Sequence, residues 1–132
     1  RGKGILIPRR AIAREILPVT LMQWGADVEL IETYRTIVPQ TDRRELQEKL
    51  RQRAVDMITF TSSSTVSNFA RLFDGRRLAE ILGETPIACI GPITESTVAE
   101  LGGVTALSAR EFTIAGLVYA MVEYFRGQTP RA

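Results

Sequence analysis

Three consecutive serine side chains, Ser62, Ser63 and Ser64, follow a short apolar run at residues 57–60, with only Thr61 between them. A strand that leads at once into a helix would put these hydroxyls at the helix start, where Ser is favoured as an N-cap. The first backbone N–H groups of a helix have no acceptor within the helix and readily bind anions. The pattern therefore predicts an anion-binding site at this strand-to-helix junction.

A second junction of the same kind follows the apolar run 86–90, at Gly91, Pro92, Ile93 and Thr94. Pro is favoured at the first helical position, so the N–H groups of Ile93 and Thr94 would be free donors with the Thr94 hydroxyl alongside. These groups suit a carboxylate. The sequence leaves an alternative equally open, in which Thr94 only completes the helix end, because every α/β fold has such termini.

Covalent catalysis and metal chemistry are not expected. The chain contains no histidine to serve as a base, and the serine run lacks the G-x-S-x-G pattern of a nucleophile elbow. One cysteine and no histidine exclude the commonest zinc sites, and no Gly-rich phosphate loop is present. We expect neither a metal nor a cofactor, and we interpret Cys89, in an apolar run, as a buried thiol in a reducing cytoplasm.

Tyrosine and arginine side chains add weaker candidates. Tyr34 lies near the end of an extended stretch, and a phenol can donate a proton when it is placed in a cleft. Tyr119 and Tyr124 flank the apolar stripe of a predicted helix, so packing accounts for them. Arg9 and Arg10 follow the first apolar run, where a strand-to-helix loop would place them either against an anion or, as is commoner for loop arginines, in solvent.

Composition favours a single globular domain. The 132 residues are 45% hydrophobic and 24% charged, and the net charge of +2 with a pI near 9.0 suits an anionic ligand without requiring nucleic acid. No apolar run reaches the roughly 18 residues of a membrane helix, so we expect no membrane partner. The chain begins without an initiator Met or a signal-peptide pattern, which indicates a fragment or processed product of a cytoplasmic protein.

Short apolar runs alternate with helical patterns, which predicts a parallel sheet with helices on both faces. Ligands of such folds bind beyond the carboxyl ends of the strands, where the candidates lie. The extended stretch 27–38 is longer than a typical buried strand, so we interpret residues 34–40 as a linker. It would join a strand-helix-strand unit, residues 1–33, to the main α/β portion, residues 41–132.

Four stretches, taken together and in order, resemble the C-terminal half of uroporphyrinogen-III synthase: GADVE leading to YRT (25–36), ITFTSSS (58–64), ACIGPIT (88–94) and TIAGL (113–117). The resemblance implies a cofactor-independent enzyme of tetrapyrrole biosynthesis, which leads to haem, sirohaem and cobalamin. It would close hydroxymethylbilane, a substrate with eight carboxylates, to uroporphyrinogen III by losing water and inverting ring D through a spiro intermediate.

The same resemblance implies roles for individual residues. Tyr34 would help the substrate hydroxyl to leave, Ser62 and Thr94 would line the substrate cleft, and Arg9 would contact the substrate. Ser63 and Ile93 complete the predicted substrate-binding set, although the family often has a proline and a second threonine at these positions. No side chain would need to act as a nucleophile, because the protein would mainly fold the substrate and hold its charge.

The family's enzyme has two α/β domains, so the resemblance implies that about half of it is absent from this chain. Residues 4–33 and 41–128 would complete one five-stranded flavodoxin-like sheet, either within one chain or by exchange of the strand-helix-strand between two chains of a homodimer. The extended linker favours exchange. Alone, the chain would be inactive or weakly active, and its parent would be a lone synthase or a fusion with a uroporphyrinogen methyltransferase. The alternative function is a non-catalytic flavodoxin-like module that binds a small anion or a protein partner.

Overall fold

The computed structural model describes residues 1–10, 15–34, 37 and 43–127. The chain divides into two compact units, Arg1–Ile37 and Val38–Ala132. None of the helices in the described ranges combines the length and the apolar content that crossing a bilayer requires.

The first unit is a strand-helix-strand. It contains β1 (Gly4–Arg10), α1 (Ile16–Gln23) and β2 (Asp27–Tyr34), and its two strands pair in parallel from Gly4 with Asp27 onward. Pro18 lies in the first turn of α1, where its missing N–H costs nothing. Gly25 ends the helix with a φ of 84°, a left-handed conformation that favours glycine.

Most large apolar side chains of this first unit are exposed. One helix over two strands cannot cover both faces of a sheet, and an isolated pair of strands is marginally stable at best in water. Apolar residues therefore stand out from both α1 and the strands: Leu6, Ile16, Leu17, Met22, Leu30 and Ile31.

The second unit is a three-stranded parallel sheet, ordered β3-β4-β5, with helices on both faces. Its elements are, in chain order, α2 (Arg43–Arg51), β3 (Ile58–Phe60), α3 (Ser63–Leu72), α4 (Leu78–Leu82), β4 (Ile87–Cys89), α5 (Pro92–Glu100), β5 (Thr105–Ser108) and α6 (Ile114–Arg126).

Alternation along the central strand β4 divides the core into two apolar clusters. Ile87 and Cys89 point to one face and Ala88 to the other, as the period of two in a strand requires. The first cluster packs helices α3, α4 and α5 on the sheet through Phe60, Val66, Ala70, Leu78, Leu82 and Val98. The second is smaller and packs α6 on the opposite face through Ala109 and Leu117, with Met57, Ile90, Leu107 and Met121 around them.

The predicted α/β class with parallel strands and covering helices is confirmed, and the strands belong to two sheets, of two and three strands. Arg9 and Arg10 are the last residues of β1 rather than loop residues, because Glu32 and Tyr34 of β2 provide pairing partners that extend the strand. Of the predicted linker, residues 35, 36 and 38–40 lie outside the described residues, as do the first two residues of the predicted main portion, 41 and 42.

Candidate functional site

Three helices begin at the carboxyl edge of the second unit's sheet. Strands β3, β4 and β5 are parallel neighbours, and α3, α5 and α6 follow them in turn. The first N–H groups of each helix have no acceptor within it, and the helix dipole adds partial positive charge at the same end. This edge therefore concentrates hydrogen-bond donors that favour negatively charged groups.

Ser62 is the N-cap of α3. Its backbone is extended, and its Oγ accepts a hydrogen bond from the Thr65 N–H at 3.2 Å. The same Oγ lies 2.7 Å from the Thr65 Oγ1 and 3.1 Å from the Ser64 Oγ. The Ser62 hydroxyl therefore caps α3 and also contacts the hydroxyls of Ser64 and Thr65. The N–H groups of Ser63 and Ser64 precede the first intrahelical hydrogen bond, so they have no acceptor within the helix.

Gly91 caps α5, and Pro92 is the first helical residue, as predicted. The first intrahelical hydrogen bond runs from the Glu95 N–H to the Gly91 carbonyl at 3.1 Å. The N–H groups of Ile93 and Thr94 precede it, so they are donors of the unpaired first turn. Thr94 is 4% exposed, whereas Ile93 is 53% exposed.

A side-chain hydrogen bond connects the starts of α3 and α5. The Ser63 Oγ donates to the Ile93 carbonyl at 3.2 Å, and the Thr97 Oγ1 donates to the same carbonyl at 3.1 Å. The structure thus brings Ser62, Ser63, Ile93 and Thr94, four of the predicted site residues, into two adjoining helix starts. We name these two helix starts, residues 62–64 and 91–94, the donor edge.

A loop after β5 closes the other side of the donor edge. Thr113 caps α6, because its Oγ1 accepts a hydrogen bond from the Gly116 N–H at 3.0 Å. The ring of Phe112 packs on Gly91 so closely that a Cβ at Gly91 would lie 3.0 Å from the ring's Cδ1. Phe112 is not predicted from the sequence, because no local pattern indicates that this loop contacts the residues after β4.

The two remaining predicted site residues belong to the first unit. Tyr34 ends β2 with its side chain 61% exposed. The Arg9 Nη2 forms an ion pair with the Glu15 Oε1 at 2.7 Å. This hydrogen bond raises the pKa of Arg9 and lowers the pKa of Glu15. Any anion that Arg9 binds must therefore share its guanidinium with the Glu15 carboxylate.

Two further observations on the described residues concern metal-ligating side chains and the cysteine thiol. No group of three or more metal-ligating side chains occurs among them. Cys89 is buried, its Sγ lies 3.5 Å from the Thr105 Oγ1, and burial raises the pKa of its thiol. A buried thiol with a raised pKa is a poor nucleophile. The unpaired N–H groups of the donor edge, in contrast, can hold and orient carboxylates.

A separate cleft of about 370 Å³ lies at the amino ends of β3 and β4, opposite the donor edge. Two ion pairs, Arg53 with Glu84 at 2.7 Å and Arg76 with Glu80 at 3.4 Å, partly neutralise its charge. Because ligands of parallel α/β sheets bind at the carboxyl ends of the strands, we favour the donor edge as the site despite the size of this cleft.

The sequence of this chain is similar to those of one protein family. The model of the family described as "Uroporphyrinogen-III synthase HemD" matches residues 1–119. A Methanothermobacter thermautotrophicus protein with a provisional uroporphyrinogen-III synthase name is 36% identical over 124 residues, which are 91% of this chain and 49% of that protein. The uroporphyrinogen-III synthase of Synechococcus elongatus is 33% identical over 132 residues, which are 97% of this chain and 50% of the relative.

Solved structures agree on the fold. Uroporphyrinogen-III synthetase from Helicobacter pylori superposes with a TM-score of 0.71 at 19% identity, covering 92% of this chain and 54% of that one. The Thermus thermophilus synthase gives 0.57 at 18% identity, covering 95% and 51%. The chain thus spans about half the length of the curated relatives it matches. On the sequence match across residues 1–119, this chain belongs to the uroporphyrinogen-III synthase family.

Proposed function

We propose that this chain supplies one side of the substrate cleft of a uroporphyrinogen-III synthase, which closes hydroxymethylbilane to uroporphyrinogen III. The observation that carries the proposal is the donor edge, where the starts of α3 and α5 are joined by the hydrogen bond from Ser63 to Ile93. Family membership favours this function over a non-catalytic anion-binding module.

The chemistry of the substrate fits the chemistry of the donor edge. A linear tetrapyrrole with eight carboxylates needs many hydrogen-bond donors spread over one surface. Backbone N–H groups at helix starts provide donors whose positions are fixed by the fold, so they cost little reorganisation when the substrate binds. The N–H groups of Ser63, Ile93 and Thr94 would hold individual carboxylates, and the hydroxyls of Ser62 and Thr94 would orient them. The Ser63 hydroxyl, which donates to the Ile93 carbonyl, would keep the two helix starts together.

Tyr34 and Arg9 would act from the strand-helix-strand unit. We propose that the Tyr34 phenol donates a hydrogen bond to the substrate hydroxyl as it departs, which its exposure at the end of β2 permits. In the full-length parent, Tyr34→Phe should slow ring closure while leaving the unfolding transition unchanged. Unchanged turnover would remove Tyr34 from the catalytic role and leave it as an exposed side chain at the end of β2.

For the architecture, we propose a homodimer in which the strand-helix-strand unit, residues 1–33, is exchanged between two chains through the linker 34–40 to complete a five-stranded sheet with residues 41–132. Two exposed apolar surfaces support the exchange. One is on the first unit, and the other is on α6, where Val118, Val122 and Phe125 are 40–53% exposed. Burying such surfaces is the main favourable term in association.

Light scattering over a dilution series tests this architecture. Exchange predicts about twice the mass of a 14.7 kDa chain, persisting on dilution. A chain that stays monomeric throughout would contradict the dimer.

We further propose a cytoplasmic setting, with a parent that is a lone synthase or one fused to a uroporphyrinogen methyltransferase, which would use the product directly.

The synthase assay tests the function itself. Hydroxymethylbilane is incubated with the purified chain, and the cyclic products are separated by chromatography according to whether ring D is inverted. We expect a small inverted fraction above the background without protein, lost in Thr94→Ala. Failure to bind or convert the substrate, together with tight binding of simple phosphate alone, would favour the non-catalytic module.

A further inference from the structure

We infer that Phe112 forms an aromatic subsite beside the donor edge, which contacts the planar face of a pyrrole ring while the helix starts hold that ring's carboxylates. The inference rests on the proposed function, because it adds a ring-binding element to the same site.

The first step is the exposure of Phe112. Its side chain is 65% exposed, and no other aromatic ring of the described chain stacks on it. An exposed Phe contributes little to the core, and neither apolar cluster of the second unit includes it. Burial in this unit therefore does not explain why a phenyl ring stands in this loop.

Backbone hydrogen bonds and one close contact hold the loop that carries the ring. The Ala109 N–H at its start donates to the Cys89 carbonyl at 2.9 Å, and within the loop the Thr113 N–H donates to the Glu111 carbonyl at 2.7 Å. On its inner side the ring packs on Gly91, where a Cβ would come within 3.0 Å of Cδ1 and 3.2 Å of Cγ. A larger residue at position 91 would push the ring away.

The third step is the location of the ring within the site. Gly91 is the N-cap of α5, and the free N–H groups of Ile93 and Thr94 follow it directly. Ser63 approaches the start of α5 from α3, and Phe112 contacts it from the loop after β5. A ligand bound to these N–H groups would thus meet hydroxyls from α3 and a phenyl ring from the loop.

This combination selects a particular ligand chemistry. Backbone donors at a helix start accept any carboxylate, so by themselves they cannot distinguish a pyrrole acid from an aliphatic one. An aromatic ring adds stacking or edge-to-face contact, which favours a flat, electron-rich ring attached to the carboxylate. The structure therefore assigns to Phe112 the recognition of the pyrrole ring, and to the donor edge the recognition of its acidic arms.

The test compares two ligands on the 132-residue chain. One is a pyrrole that carries acetate and propionate arms, and the other is glutarate, an aliphatic dicarboxylate. Affinities are measured by NMR from the shifts of the Ile93 and Thr94 amides. For Phe112→Ala we expect about five- to tenfold weaker binding of the pyrrole, and glutarate binding within about twofold of the wild type, since stacking is absent from the aliphatic ligand.

Control variants separate stacking from loss of apolar area. Phe112→Leu keeps an apolar side chain but loses the ring, so it should lose most of the pyrrole preference, whereas Phe112→Tyr should retain it. Tyr119→Ala deletes an exposed aromatic ring from α6, outside the donor edge, and should change neither affinity. Gly91→Ala should weaken pyrrole binding more than glutarate binding, because the added Cβ displaces the ring.

Two outcomes overturn the inference, and they are distinguishable. If the wild-type chain binds both ligands and Phe112→Ala weakens neither, or weakens both equally, the aromatic subsite is refuted while the donor edge stands. If neither ligand shifts the NMR signals of the Ile93 and Thr94 amides in the wild-type chain, the proposed carboxylate site is itself refuted, and the subsite is refuted with it.

Discussion

Replacing Gly116 by alanine should destabilise the second unit, although it puts a good helix former into a helix. Gly116 lies in the first turn of α6, where a Cβ would overlap the Glu111 carbonyl oxygen and lie 3.0 Å from the Glu111 Cβ. The first of these contacts is with backbone rather than a flexible side chain, so the loop before α6 or the helix start itself must move.

Opposing free-energy terms decide whether Gly116→Ala stabilises or destabilises the second unit. Alanine is favoured over glycine in helices by up to about 1 kcal/mol. Against this, forcing atoms into a packed site typically costs about 1–3 kcal/mol, and displacing the helix start endangers the Thr113 cap, worth about 0.5–2 kcal/mol. We therefore expect Gly116→Ala to lower the free energy of unfolding by about 1–3 kcal/mol.

Urea unfolding followed by far-UV circular dichroism measures the change. The only tryptophan, Trp24, lies in the first unit, so its fluorescence reports on that unit alone and distinguishes a local from a general effect. Gly127→Ala is the matched control, since a Cβ there would meet nothing closer than 3.7 Å. It should be neutral or stabilising by up to about 1 kcal/mol. Equal stability of Gly116→Ala and wild type would refute the packing argument.

Three further predictions concern the helix cap and the buried thiol. Ser62→Ala should destabilise the chain by about 1 kcal/mol through loss of the α3 cap, whereas Ser96→Ala, within α5, should be near neutral; similar urea midpoints for the two variants would contradict the capping role. Cys89 should react with a thiol reagent at pH 8 far more slowly in the native chain than in urea, and equal rates would show that the thiol is accessible. Because burial raises the pKa of Cys89 above its unfolded value of about 8.5, its contribution to stability is fully present below that pH and is lost as the pH rises through the higher native pKa. Stability against urea should thus fall in alkaline buffer, and less so in Cys89→Ala.

Local signals in the sequence predicted much of this structure. Pro92 and the serine run mark helix starts by their own conformational preferences, so α3 and α5 begin where the sequence indicates. The sequence predicts a loop at Arg9, whereas Arg9 belongs to β1. The end of a strand depends on its pairing partner, and only the pairing with β2 shows that β1 continues. The position of a strand end is a tertiary property, which hydrophobic periodicity does not contain.

The remaining contacts of the candidate site also depend on tertiary structure and could not be predicted from the sequence. The contact between Phe112 and Gly91 joins a loop to a strand end distant in sequence, and nothing in the composition of either stretch predicts it. The bond between Ser63 and Ile93 likewise depends on β3 and β4 being neighbours. Sequence periodicity indicates that strands exist but does not say which of them pair, so it could not predict the division into sheets of two and three strands.

The most direct test of the account is an NMR map of where a linear tetrapyrrole carrying eight carboxylates binds on this chain. We predict that the shifted amides cluster at the starts of α3 and α5, including Ser63, Ile93 and Thr94, and extend to the loop that carries Phe112. Shifts confined to the cleft at the amino ends of β3 and β4, lined by Arg53 and Arg76, would contradict the assignment of the donor edge as the substrate site.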